Sequence, residues 1–145
     1  MPGQVCLDAS IIIKLFLPEA DSDKAARLIE LLQGQRLEFV APSLLTYEVI
    51  SAFHKNVAEN YLTPEQGHSA LALFAGRRFS LFLPDALHEL AWELADRCGQ
   101  VVLYDAYYLA LAETLDCDYW TADQRFYTAA LPHSTRVHLL RDYAA

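Results

Sequence analysis

The sequence predicts a three-layer α/β/α protein with a central parallel sheet of about four to five strands and helices on both faces. Two features point to this class. Short apolar runs of strand length, such as Val5-Cys6-Leu7, alternate along the chain with segments of helical period. Several runs also lead into acids at the strand ends where open parallel sheets build their sites: Asp8 follows Val5-Cys6-Leu7, and Asp123 follows Tyr119-Trp120-Thr121-Ala122. The 145 residues are expected to form one domain, residues 1–145.

The elements follow in order. Residues 4–8 read as the first strand, and a turn of helix over 10–17 stops at Pro18. Asp21-Ser22-Asp23 opens a helix whose stripe is Ala25, Leu28, Ile29 and Leu32, and Gly34 ends it. Residues 37–41 form a second strand. A helix over 43–60 carries Val49, Ile50, Phe53 and Val57, and another spans 64–75. Residues 79–83 are a strand. Asp85 caps a helix with Leu87, Leu90, Ala91, Leu94 and Cys98 on one face, ended by Gly99. Residues 104–115 are helical, 118–121 a strand, 123–130 a short helix and 136–140 a last strand. Asp116 and Asp118 read as loop polars.

Composition narrows the function. Net charge is −8 and the pI near 4.9. Such a chain is a poor non-specific binder of nucleic acid, because that affinity comes from Lys and Arg on phosphates. The cysteines, Cys6, Cys98 and Cys117, are odd in number and lack zinc spacing, which suggests a reducing compartment. No signal-peptide pattern or membrane-length apolar run is read, so the expectation is a cytoplasmic protein without membrane contact. The histidines show no HExxH spacing, and neither a P-loop nor a GxSxG elbow occurs.

Four acids carry the chemistry: Asp8, Glu48, Asp105 and Asp123. Strand ends and helix starts fall at one sheet edge, so all four are expected to converge there. Asp105 and Asp123 could each be plain helix caps. Glu48 resists that reading, since Leu44, Leu45, Ser51 and Ala52 share its face, and an unpaired carboxylate among them is costly. Converging carboxylates repel one another and require cations. Their oxygens suit hard divalent ions, and without metal at least one acid should keep its proton.

The segments around these acids are Val-Cys-Leu-Asp8-Ala-Ser10, Leu-Leu-Thr-Tyr-Glu48-Val, Tyr-Asp105-Ala-Tyr-Tyr-Leu-Ala-Leu-Ala and Tyr-Trp-Thr121-Ala-Asp123-Gln-Arg-Phe126. Together they resemble the signature blocks of PIN-domain nucleases, in the family's order and over nearly the whole chain. The size resembles the VapC-type toxins of toxin–antitoxin pairs. The resemblance implies a PIN-like fold and an endoribonuclease dependent on Mg²⁺ or Mn²⁺. Asp8, Glu48, Asp105 and Asp123 would hold the metal, with Ser10 and Thr121 in support. It also implies a homodimer, and a small antitoxin presenting a basic side chain to the acidic pocket. For the RNA substrate, Lys14 and Arg125 are candidate phosphate contacts and Tyr104 a candidate base-stacking surface. Two other readings keep the fold: a nuclease of RNA processing or of DNA, and a silent protein-binding module.

Overall fold

The structure, a computed structural model, describes residues 3–144, so the outermost residues of the expected 1–145 domain lie outside the described residues. Five strands, β1 (Gln4–Leu7), β2 (Glu38–Pro42), β3 (Ser80–Phe82), β4 (Asp118–Thr121) and β5 (Val137–Leu139), form one sheet in the order β3-β2-β1-β4-β5. Every neighbouring pair is parallel. On central β1, Val5, Cys6 and Leu7 are each no more than 1% exposed, so helices cover both faces, as the apolar run predicts.

Seven α-helices complete the layers: α1 (Ala9–Phe16), α2 (Ser22–Gly34), α3 (Leu44–Ala58), α4 (Pro64–Ala75), α5 (Ala86–Arg97), α6 (Tyr104–Leu115) and α7 (Gln124–Ala130). Helices α1 to α4 pack among themselves; α5 packs on α6, which lies against β1, β2 and β4. Pro18 ends α1 by forcing Leu17 into an extended conformation. The register sets Leu7 beside Trp120, and the Asp8 amide continues the ladder to the Trp120 carbonyl. The ends of β1 and β4 therefore open at one edge.

Several boundaries differ from expectation. The last strand stops at Leu139, and Leu140–Asp142 form a 3-10 turn. Asp21 and Asp85 precede their helices but make no capping bond. Asp21 is left-handed and Asp85 already helical, whereas capping needs an extended backbone. Asp118 begins β4 rather than lying in a loop, whereas Asp116 lies in the turn after α6 as expected and pairs there with Arg136. Thr63 and Gln66 form a capping box that starts α4.

Phe16, Phe53 and Phe74 meet edge to face with centroids 5.8–6.3 Å apart, joining α1, α3 and α4. Gly67 lets α4 approach α3, because a Cβ there would fall 2.4 Å from Val57 Cγ2. In an open helix Gly→Ala gains about 1 kcal/mol. Here overpacking costs about 1–3 kcal/mol. Gly67→Ala is therefore expected to lower stability in urea unfolding, and a second change, Val57→Ala, to restore part of the loss. A Gly67→Ala protein more stable than wild type would show that the helices yield.

Candidate functional site

The four acids come from four places along the chain and line one open cavity of about 410 Å³, together with Ser10, Ile13, Gln100, Val102, Tyr104 and Tyr108. Asp8 leaves the end of β1, Asp123 follows β4, Glu48 sits in the second turn of α3 and Asp105 in the first turn of α6. The sheet edge thus gathers them as the strand order predicts.

Asp8 is buried, at 2% exposure, yet well supplied with donors. Tyr119 donates its hydroxyl to Oδ2 at 2.8 Å, and Ser10 donates to Oδ1. The Ile11 amide also donates to Oδ1, so Asp8 caps α1 as well as ending β1. Ser10 in turn accepts from the Ala122 amide, tying α1 to the end of β4. Thr121 accepts from the Asp123 amide at 3.0 Å. Asp123 Oδ1 accepts from the Phe126 amide at 3.1 Å, so Asp123 does cap α7 while lining the cavity. Asp105 makes no capping bond.

Glu48 is half-buried rather than fully buried, because its face opens on the cavity. Its Oε1 accepts from the Tyr108 hydroxyl at 2.7 Å. Tyr108 and Tyr119 stack with centroids 6.0 Å apart and 18° between planes. Two fully buried rings thus each send a hydroxyl to a different acid. Reasoning from helical phase places Tyr108 in the core, which is correct for its ring but misses its hydroxyl. Tyr119 lies inside a strand run and carried no signal beyond its type.

Burial pushes Asp8 and Glu48 above the ordinary carboxylate range, opposed by their hydrogen bonds. Asp105 is displaced to about 7, first by burial and then by the charges of Asp8, Asp123 and Glu48. No hydrogen bond offsets its shift, so the cluster's repulsion is expressed there. An all-oxygen donor set of this kind fits Mg²⁺ or Mn²⁺ by ligand chemistry. Among the described residues, no three acidic, histidine or cysteine side chains are yet gathered closely enough to hold an ion, so the carboxylates would have to draw in.

The remaining candidates separate. Tyr104 lines the cavity and is 60% exposed, open to a stacking partner. Lys14 is absent from the acid cavity's lining and is tied to Glu19 and to the Ala20 carbonyl. Arg125 is exposed and does not line the cavity.

The Asp105 shift sets a sign for stability. The unfolded chain releases this proton near pH 4 (about 3.9 for a free aspartate), whereas the folded protein keeps it to about pH 7. Metal-free stability should therefore fall as pH rises between those values and then level off. Asp105→Asn removes that loss. It should match wild type near pH 4 and melt higher at pH 8, by about 3–6 °C for each kcal/mol recovered. Calorimetry in chelator checks this, and a variant melting at or below wild type at pH 8 contradicts it.

Residues 5–131 match the family model described as PIN domain. Ribonuclease VapC9 of Mycobacterium tuberculosis is 30% identical over 121 residues, covering 83% of this chain and 87% of that protein. A VapC ribonuclease of Mycobacterium bovis matches to the same extent. Among solved structures, Mycobacterium tuberculosis VapC20, described as a Sarcin-Ricin loop cleaving toxin, has TM-score 0.64 at 17% identity, over 87% of this chain and 95% of that one. A chain of VapBC2 from Rickettsia felis, bound to a fragment of its promoter DNA, has TM-score 0.65 at 16% identity, over 93% of this chain and 96% of that one. The two structures agree with the five-stranded parallel α/β fold; the family model and the ribonuclease relatives establish that this chain belongs to the PIN domain family.

Proposed function

We propose that the protein is an endoribonuclease dependent on Mg²⁺ or Mn²⁺, hydrolysing RNA phosphodiester bonds as the toxin of a toxin–antitoxin pair. One observation carries this most: four acids from four separate elements line a single cavity. The named activity of the ribonuclease relatives supports the same reading.

In this reading Asp8, Glu48 and Asp105 hold the metal. When bound, the metal supplies Lewis-acid polarisation of the phosphodiester and of the attacking water. Tyr119 and Ser10 orient Asp8, and Tyr108 orients Glu48, each by donating a hydrogen bond. Asp123 has one oxygen committed to the Phe126 amide, and its other orients water or serves a second ion. Water attacks phosphorus in line and the P–O3′ bond breaks, leaving a 5′-phosphate and a 3′-hydroxyl. Tyr104 stacks a splayed base of a single-stranded loop at the mouth. The partner is a small antitoxin, a reading supported by the VapBC2 structure among the structural relatives, and it presents a basic side chain near the acids. The protein acts as a cytoplasmic homodimer. No helix among the described residues is long and apolar enough to cross a membrane.

The reading is tested on a pool of RNA and single-stranded DNA, incubated with Mg²⁺, Mn²⁺ or chelator. Cleavage of RNA should require metal and fall at least about a hundredfold in Asp105→Ala. Equal residual cleavage by both proteins would identify a contaminant and refute the assignment. Separately, Tyr108→Phe keeps the ring but drops the donor to Glu48. It should weaken Mn²⁺ binding by about 10–100-fold in calorimetric titration. Unchanged affinity would remove Tyr108 from the site.

A further inference from the structure

The acid cavity continues past Asp123. A second groove, of about 360 Å³, shares Ser10, Ile13 and Asp123 with it and lies between α1 and α3. The two differ in charge. Among the described residues no basic side chain lines the acid cavity, whereas the groove has Lys14 and Lys55.

These lysines are not equivalent. Lys14 is 16% exposed and committed, its Nζ 2.8 Å from the Ala20 carbonyl and 3.5 Å from Glu19. Glu19 lines the same groove, so the two neutralise each other there. Lys55 is 71% exposed, and its one ion pair is with Glu59 at 4.0 Å, one turn along α3. An exposed pair of that kind is worth about 0.2–1 kcal/mol and yields readily to another anion.

Helical phase explains the placement. Glu48, Ala52 and Lys55 stand at i, i+4 and i+7 on α3, so they share a face. Lys55 lies about 10 Å along the axis from Glu48. Ala52 between them offers only a methyl group, and Ile13 supplies an apolar wall from α1. The groove therefore leads from the acids, over small and apolar residues, to an available cation. Of the other cations, Arg136 pairs with Glu113 and Asp116, Arg77 lies over the Phe16 ring, and Arg125 lines neither cavity nor groove.

We infer that a single-stranded RNA engaged at the acids continues along the α1–α3 groove, with Lys55 binding a phosphate flanking the scissile one. This rests on the ribonuclease reading and adds the path of its substrate. In a chain of net charge −8, general attraction for a polyanion is lacking, so one cation on the strand's exit has a measurable share of the affinity.

The test compares Lys55→Ala, Lys55→Arg and an exposed control that lines neither cavity nor groove, Arg97→Ala, each first shown to melt like wild type. Binding is measured in the Asp105→Asn background with Mg²⁺, by anisotropy of a fluorescent single-stranded RNA of about 12 nucleotides, within the range one such site spans. Cleavage is measured in the otherwise wild-type chain. Lys55→Ala should weaken binding about two- to fivefold. It should reduce the slope of log affinity against log salt by about 0.7, the share of one phosphate contact on a single strand. It should raise KM more than it lowers kcat. Lys55→Arg should retain the slope, and Arg97→Ala should leave it unchanged. If the otherwise wild-type chain cleaves RNA while Lys55→Ala keeps its affinity and slope, the groove is not the strand's path and the inference falls alone. An equal change in Arg97→Ala would reduce the effect to net charge and overturn the inference as well. If that chain neither cleaves nor binds RNA, the proposed function itself fails.

Discussion

Mutual repulsion among carboxylates is the constraint around which this molecule is arranged. Asp8, Glu48, Asp105 and Asp123 line one cavity, and burial, reinforced by the pressure between them, raises Asp105 to about 7. A fold selected for stability alone would separate these charges. The sheet brings them together because β1 and β4 are neighbours whose ends open at the same edge. The local loss is offset by the surrounding apolar core, where Val5 to Leu7 of β1 and Tyr108 to Ala112 of α6 are buried.

The protein answers the repulsion unevenly. Asp8 has three donors and Glu48 has one, so these two stay oriented. Asp105 has none to offset its shift, which leaves it the most responsive to an arriving cation. The buried Tyr108–Tyr119 stack is the device behind this asymmetry. Its rings belong to the core while its hydroxyls belong to the site, so packing fixes the directions of two carboxylates.

Much of this was legible in the sequence because strand ends and helix starts obey simple placement rules. Asp8, Glu48, Asp105 and Asp123 follow from them, and so does the parallel sheet. The choice between cap and cavity acid, open for Asp105 and Asp123, resolves differently for each: Asp123 caps α7 through one carboxylate oxygen and still lines the cavity, whereas Asp105 makes no capping bond. Side-chain reach was less legible. The Tyr108 hydroxyl is hidden by its ring's place in an apolar stripe. Lys55 becomes visible only by counting two turns on from Glu48, whereas Lys14, nearer Asp8 in sequence, is tied to Glu19. Asp85 shows the reverse error: residue type suggests a cap that its backbone conformation denies.

To close on one ion these acids must draw together, since among the described residues they do not stand as a formed ligand set. The direct measurement is anomalous diffraction from crystals of the protein soaked in Mn²⁺. A peak is expected within the cavity bounded by Asp8, Glu48 and Asp105, with carboxylate oxygens drawn in to about 2.0–2.2 Å, near the distances of hard divalent cations. A fully soaked crystal with no peak there, and with Asp105 still apart from its neighbours, would contradict it.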